Sequence, residues 1–224
     1  MPGRNIPLVT GEIYHVFNRG LASVPVFQNK RDYDRILETM LYYQNERPPI
    51  KYSRFLTLSI EDRQNILKNL AKQRQFQIEI ITYCLMPTHF HLMIKQVVNE
   101  GISKFVGNFT NSYTRYLNTR SERIGPLFEG KFKAVRIHTE GQLLHLHRYI
   151  HLNPYSSFVV KGLNDLENYI FSSLPEYLGN TQTNHCAKNA ILDNFKNKDS
   201  YKKFLFDQAD YQRRLEEIKH LTME

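Results

Sequence analysis

Two histidines one residue apart, His89 and His91, lie in the apolar segment MPTHFHLMI of residues 86–94. The large apolar residues that follow Pro87 predict a β-strand. Side chains two positions apart on a strand point to the same face, so the two imidazoles could bind one metal ion. Spacing alone leaves a second interpretation open, in which both histidines are structural.

Tyr149 and Asn153 stand four residues apart in the segment YIHLNP, on a predicted helix that ends before Pro154. Residues at this spacing share one face, so a phenol and a carboxamide can face the same point. A phenol has a pKa of about 10 and is a weak nucleophile near neutral pH unless a cation or a base favours the phenolate. The combination is typical of metal-assisted phosphoryl transfer, in which tyrosine attacks phosphorus beside the metal.

Other tyrosines compete for the role of nucleophile, because the chain contains 14 of them and Tyr149 could be an ordinary half-buried helix aromatic. Tyr113 and Tyr116 are the main rivals, since both flank Arg115 in a basic stretch. Neither has a carboxamide four residues later, so Tyr149 is the preferred candidate. The Asn153-Pro154 pair could also be no more than a helix stop.

A second group of histidines surrounds the predicted helix and consists of His138, His145, His147 and His151. His145 shares the helix face of Tyr149, whereas His147 and His151 are four residues apart and could resemble a zinc-binding pair. The alternatives are a polar helix face or a single histidine that assists proton transfer.

The composition is that of a basic globular protein, with 224 residues, a formal net charge of +8 and a pI near 9.4. Such a surface attracts polyanions, and nucleic acid is the leading candidate. Two cysteines without a C-x-x-C spacing argue against a disulfide framework or a thiolate zinc site. We find no apolar run near the ~20 residues of a membrane span and no secretory signal, so we expect a cytoplasmic protein.

Periodicity predicts the order β-α-insert-β-β-α-β-α, which is that of a ferredoxin-like antiparallel sheet with helices on one face and a last helix added after it. Residues 1–160 would form this α+β domain, interrupted by a helical arm at about 47–75, and residues 161–224 would form a C-terminal extension whose last helix covers 200–220. The predicted strands cover 12–19, 75–85, 89–96 and 131–137, and the predicted helices cover 32–45, 59–72, 102–117 and 140–152.

Six segments stand in the order of a known family: YHVFNRG at 14–20, VFQNKRDYDRIL at 26–37, YCLMPTHFHLMI at 83–94, SYTRYLN at 112–118, GPLFEGKFKAVRI at 125–137 and YIHLNP at 149–154. On these segments the chain resembles the REP-associated tyrosine transposases, relatives of insertion-sequence transposases that move as single strands, within the HUH single-tyrosine endonucleases. The resemblance runs from about residue 13 to residue 160.

This resemblance implies the HUH fold, with His89, His91 and Asn153 as metal ligands and Tyr149 as the nucleophile. Members of the family cut single-stranded DNA beside an imperfect hairpin, with Mg²⁺ or Mn²⁺, and leave a 5′-phosphotyrosine and a free 3′-hydroxyl. The implied protein is a DNA strand transferase of the bacterial cytoplasm and nucleoid, a monomer or a homodimer. A catalytically silent, domesticated hairpin-binding protein is the alternative, and a hydrolase in which water attacks is a third interpretation.

The chain departs from the family pattern at Thr88, where asparagine is most frequent, at His151, where an acidic residue is frequent, and in its long arm. Basic residues near the motifs are candidates for contacts to the DNA backbone, and aromatic residues among them could stack on unpaired bases. The basic candidates are Arg19, Arg115, Arg120, Arg123, Lys131, Lys133 and Arg136, and the aromatic ones are Tyr14, Phe17, Phe128 and Phe132.

Overall fold

The computed structural model describes residues 7–222, with side chains described as far as residue 215. Residues 1–6, the start of the segment tested for a secretory signal, and the last two residues of the extension lie outside this range. Across the described part of the chain, no helix is long and apolar enough to cross a membrane.

The described chain contains four strands, ten α-helices and one short 3₁₀ helix at Leu21–Ser23. The strands are Ile13–Arg19 (β1), Ile78–Met86 (β2), His89–Gln96 (β3) and Lys133–Arg136 (β4). The helices are Lys30–Tyr43 (α1), Tyr52–Phe55 (α2), Ile60–Gln73 (α3), Gly101–Arg120 (α4), Glu140–Ser156 (α5), Leu163–Glu167 (α6), Leu174–Tyr177 (α7), Asn189–Leu192 (α8), Lys198–Phe206 (α9) and Ala209–Thr222 (α10).

The sheet is antiparallel in the order β2-β3-β1-β4, with β1 in the interior although it comes first in the chain. This is the strand order of a ferredoxin-like sheet, so the predicted α+β fold class is confirmed. The four strands, together with α1, α3, α4 and α5, lie close to where the hydrophobic periodicity predicts them.

Helices α1 and α4 cover one face of the sheet, as predicted, and the added helix α5 covers the other face. On one face, Phe90 of β3 contacts Phe109 of α4 with ring centroids 5.4 Å apart, and Ile36 of α1 is fully buried. On the other face, Thr82 of β2 bonds to His147 of α5, with Oγ1 and Nδ1 2.7 Å apart. Because His89 and His91 alternate with the buried Phe90, their side chains share the face that α5 covers.

Helix α5 does not end before Pro154, as the sequence predicts, but continues to Ser156. Proline in the last turn removes one N–H donor, yet its fixed φ is compatible with a helix. The turn after Pro154 is held in place by burial of Tyr155, whose hydroxyl donates to Asp210 at 2.9 Å, and by the Ser157 N–H, which donates to the Asn153 carbonyl. Tertiary packing therefore overrides the local stop signal.

The chain after residue 160 packs against the outer edge of β2 and the back of α5. Leu85 N–H donates to the Phe171 carbonyl at 2.9 Å, and Ser173 N–H donates to the Tyr83 carbonyl at 3.0 Å. Ala187 N–H donates to the Ile80 carbonyl at 2.8 Å. These bonds satisfy part of a sheet edge that would otherwise be open. The helix predicted at 200–220 is divided into α9 and α10.

The inserted arm contains α2 and α3. Helix α3 begins as the sequence predicts, because the Ser59 hydroxyl accepts a hydrogen bond from Asp62 N–H at 3.0 Å. Of the α3 side chains, Leu70 is buried. Helix α3 thus lies largely on the surface, whereas α2 buries Tyr52 and Phe55.

Candidate active site

His89 and His91 lie at the start of β3, next to the turn that joins it to β2. Their rings meet edge to face with centroids 4.9 Å apart, His91 being buried and His89 half-buried. Strand pairing places Arg19 opposite His89 and Phe17 opposite His91. The two imidazoles therefore form one compact pair at one end of the sheet.

Backbone hydrogen bonds fix the turn before this pair. The Pro87 carbonyl accepts from Val26 N–H at 2.8 Å and from Phe27 N–H at 3.0 Å, and the Thr88 carbonyl accepts from Gly20 N–H at 2.7 Å. A Cβ at Gly20 would lie 2.3 Å from the Val24 carbonyl oxygen, so a larger residue does not fit there. The loop after β1 thus anchors the histidine pair through main-chain atoms.

Each imidazole of the pair has a hydrogen-bonding partner at Nδ1. The Thr88 hydroxyl lies 2.9 Å from His89 Nδ1, and His15 Nε2 lies 2.9 Å from His91 Nδ1. Metal-binding histidines commonly have the second ring nitrogen held in this way, which orients the ring and selects the tautomer. With the proton of each ring on Nδ1, the Nε2 atoms would be the ones that bind a divalent cation.

Burial favours the neutral form of the imidazoles of His91 and His15. Burial lowers the pKa of His91 well below its ordinary value, and the neighbouring His89 and His15 lower that pKa further. Burial also lowers the pKa of His15 to about 4. Near neutral pH both rings are uncharged, which is the form of imidazole that binds a metal.

Tyr149 lies next to the histidine pair, on the helix that covers this face of the sheet. It lies on α5 with 39% of its surface exposed, and its ring meets that of His91 edge to face with centroids 5.6 Å apart. Asn153 lies one helical turn later and is buried, and its amide oxygen accepts a hydrogen bond from the Ser157 hydroxyl at 3.1 Å. The structure thus brings Tyr149 to the imidazoles and leaves Asn153 bonded within its own helix.

Carboxylates and thiolates of the described residues do not form a metal-binding cluster with the pair. Over the residues that the structure describes, no three His, Cys, Asp or Glu side chains are grouped so as to hold a metal ion. Cys84 and Cys186 are both buried, and burial raises the pKa of each thiol. A cation here would depend on two imidazoles, an amide oxygen and the oxygens of its substrate.

The rival nucleophiles lie on α4, across the sheet from the histidine pair. Tyr113 is fully buried and donates a hydrogen bond to the Val26 carbonyl at 2.5 Å, and burial raises the pKa of its phenol. The Tyr116 hydroxyl accepts from Arg120 at 3.2 Å and contacts Asp32. Neither phenol faces the pair.

Of the second group of histidines, His147 and His151 lie in the core, whereas His138 and His145 are exposed. His147 bonds to Thr82 through Nδ1 and to the Tyr201 hydroxyl through Nε2, at 2.7 and 2.9 Å. His151 Nε2 lies 2.7 Å from the Ser173 hydroxyl. Both rings are fully buried, and burial lowers the pKa of each. These contacts give the two histidines a structural role in fastening α5.

An open cleft of about 360 Å³ begins at the histidine pair. Arg19, Lys131 and Lys133 lie in its wall together with His89 and His91. One carboxylate, Glu129, also lines the cleft and accepts from Arg19 Nε at 2.6 Å. Three cations against one anion leave the cleft positive, as a surface that binds a phosphate backbone requires.

Other basic candidates are distributed differently. Arg120 forms an ion pair with Asp32 of α1, which is fully buried, and this pair gives Arg120 a structural role that the sequence analysis did not predict. Arg136 bonds to Glu12 at 2.6 Å. Arg115 is exposed on α4, across the sheet from the cleft. The cleft residues are therefore the better candidates for DNA contacts near the site.

The chain is similar to known transposases in sequence and in fold. The family model of IS200-like transposases matches residues 50–153, a stretch that contains both histidines and Tyr149 and ends at Asn153. A solved REP-associated tyrosine transposase, described as bound to a REP hairpin, matches the fold with a TM-score of 0.56 at 13% identity, over 80% of this chain and 86% of that one. The resemblance to the IS200-like transposases is confirmed. No curated protein matches the sequence.

His15 is a residue of the candidate site that the sequence analysis did not identify. It lies on β1, before the stretch that matches the IS200-like family model. A local signal was present in YHVFNRG, where His15 and Phe17 alternate with buried residues and so share one face. Its relation to His91, however, depends on pairing between β1 and β3.

Proposed function

We propose that this protein is a metal-dependent single-stranded DNA endonuclease and strand transferase that acts at DNA hairpins through a covalent 5′-phosphotyrosine on Tyr149. The observation that carries the proposal is the contact of Tyr149 on α5 with the histidine pair on β3, with ring centroids 5.6 Å apart. In this proposal His89, His91 and Asn153 would hold Mg²⁺ or Mn²⁺, and the bound ion would act as a Lewis acid toward the scissile phosphate.

The proposed step exchanges one phosphate ester for another. The phenol oxygen of Tyr149 attacks phosphorus and loses its proton to solvent, while the bond between phosphorus and the 3′ oxygen breaks. The 3′ oxygen leaves with the electron pair and takes up a proton. Products are a 5′-phosphotyrosine and a free 3′-hydroxyl, and attack by another 3′-hydroxyl on the phosphotyrosine rejoins a strand.

Partial exposure of Tyr149 suits this step. With 39% of its surface accessible, the side chain can meet a strand that enters from solvent. Its neighbours His147 and His151 point into the core and fasten the helix, so the backbone beneath the phenol is held in place. Preorganisation of this kind lowers the entropy cost of reaching the reactive geometry.

We propose that the strand runs through the positive cleft beside the pair. Arg19, Lys131 and Lys133 would neutralise its phosphates, and the Phe17 ring, which lies 5.8 Å from Lys133 Nζ, is placed to stack on a base. Residues 1–160 would form the catalytic domain and 161–224 the extension that braces it. Because Tyr149 meets the histidines of its own chain, we expect a monomer to suffice.

A denaturing-gel assay tests the proposal. The protein is mixed with a pool of labelled single-stranded hairpin oligonucleotides, with Mn²⁺ or with EDTA, and peptides from any shifted band are mapped by mass spectrometry. We expect a Mn²⁺-dependent adduct on the peptide that contains Tyr149. Tight hairpin binding without cleavage would support the silent DNA-binding protein, and cut DNA without an adduct would support a hydrolase.

A further inference from the structure

We propose that His15 is a positioning residue, which accepts the Nδ1–H of His91 and thereby leaves the Nε2 lone pair of His91 available to a metal ion. The inference rests on the proposed function, because it concerns the ligand set of the same site. It assigns a task to a residue on β1, outside the stretch that matches the family model.

Strand register places the two rings side by side. Phe17 of β1 pairs with His91 of β3, and His15, two residues earlier, points to the same face. His15 Nε2 lies 2.9 Å from His91 Nδ1, and the two ring planes are inclined by 23° with centroids 5.1 Å apart, so the rings lie nearly edge to edge. This distance is that of a hydrogen bond between two ring nitrogens.

Packing restrains His15 in this orientation. The Phe17 ring stacks on it with centroids 4.7 Å apart and an angle of 29°, and the Phe17 centroid also lies 5.8 Å from that of His91, so the three rings form one cluster. Rotation of the imidazole would break both the stack on Phe17 and the hydrogen bond to His91. The acceptor is therefore presented to His91 in a fixed direction.

The hydrogen bond allows two tautomer pairs, and only one of them is compatible with a metal. If His91 carries its proton on Nδ1 and donates to His15, then Nε2 of His91 has a free lone pair. If His15 donates instead, the proton of neutral His91 is on Nε2, and that atom cannot bind a cation. His15 as acceptor, with its own proton on Nδ1, thus selects the ligating form of His91.

Two substitutions separate the hydrogen bond from the packing. His15→Phe keeps an aromatic ring beside Phe17 and His91 but removes the hydrogen-bond acceptor. His15→Gln, in contrast, supplies an acceptor without the imidazole. The exposed His138 provides the control His138→Gln. Thermal unfolding of all three variants checks that the fold is retained.

The first readout is nitrogen NMR of histidine-labelled, metal-free protein. We expect His91 to carry its proton on Nδ1 in the wild type and in His15→Gln, and to shift towards the Nε2–H form in His15→Phe. A wild-type His91 protonated on Nε2 would overturn the proposal. This readout requires neither a metal nor a DNA substrate.

The second readout is Mn²⁺ titration by calorimetry. We expect His15→Phe to weaken Mn²⁺ binding about 10- to 100-fold, the usual effect of losing the partner of a ligating histidine, with His15→Gln and His138→Gln close to the wild type. Unchanged Mn²⁺ affinity in His15→Phe would refute the proposed role of His15 but would leave the proposed metal site standing. A wild type that binds no Mn²⁺ would instead refute the metal site of the proposed function.

Discussion

His91 and Tyr149 belong to different layers of the fold, yet their rings meet edge to face with centroids 5.6 Å apart. Pairing of β3 with β1 and β2 fixes His91, and packing of α5 on the opposite side of the site fixes Tyr149. The proposed metal ligand and the proposed nucleophile are thus positioned by two rigid elements rather than by loops, which favours precise geometry.

Replacement of either histidine tests the metal site. His89→Gln and His91→Gln should each abolish Mn²⁺ binding in calorimetry and Mn²⁺-dependent cleavage, because one imidazole and one amide make a weak site. Hairpin binding in EDTA should remain, since the cleft cations are unchanged. Mn²⁺ affinity equal to that of the wild type in both variants would show that the ion binds elsewhere.

The ion pair between Arg120 and Asp32 predicts a loss of stability. Arg120→Ala would leave the buried carboxylate of Asp32 without its cation, and we expect the free energy of unfolding to fall by about 2–3 kcal/mol, less than for a fully buried pair because Arg120 is partly exposed. Urea unfolding measures it. The exposed Arg115 on the same helix offers the matched variant Arg115→Ala, which should unfold like the wild type.

Cleft cations predict a salt-dependent loss of DNA affinity. Lys133→Ala should weaken hairpin binding at low salt and reduce the slope of log affinity against log salt by about one, since one phosphate contact is lost. Arg115→Ala, across the sheet from the cleft, serves as the control for equal loss of charge. Equal effects of the two substitutions would indicate that charge acts without a defined path for the strand.

Buried histidines behind Tyr149 predict that the protein loses stability in acid. Burial lowers the pKa of His151 to about 3 and that of His147 well below its ordinary value. In the unfolded chain both have a pKa of about 6.5, so below that pH the unfolded state binds protons that the folded state does not. The free energy of unfolding therefore keeps its full value above pH ~6.5. As the pH falls from there towards 3, each buried histidine lowers it by about 1.4 kcal/mol per pH unit.

Urea unfolding at pH 7 and pH 5 measures this dependence. His151→Gln should make the fall in unfolding free energy shallower, whereas the exposed His138→Gln should leave it as in the wild type. An identical fall in His151→Gln would show that His151 is not the source.

Local patterns were sufficient to predict much of the fold. The apolar run of β3 and the start of α3 at Ser59 depend on neighbours in sequence, and both appear as predicted. The predicted end of α5 was wrong, because the buried contacts of Tyr155 outweigh the tendency of proline to end a helix. Such contacts involve Asp210, a residue whose proximity no local pattern indicates.

Within the site, the same distinction holds between local and long-range information. The spacing of His89 and His91 is readable from the sequence, and so is the spacing of Tyr149 and Asn153. The partner of His91 could not be predicted, because His15 reaches it only through strand register.

The most direct test of Tyr149 as the nucleophile is the comparison of Tyr149→Phe with Tyr211→Phe. The second variant also removes one phenol hydroxyl, from an exposed tyrosine on α10. Both variants are assayed with Mn²⁺ for the covalent adduct and for hairpin affinity. We predict that Tyr149→Phe forms no adduct and cuts no DNA but binds the hairpin nearly as tightly as the wild type, while Tyr211→Phe cleaves normally. Cleavage with an adduct in Tyr149→Phe would contradict the assignment of the nucleophile.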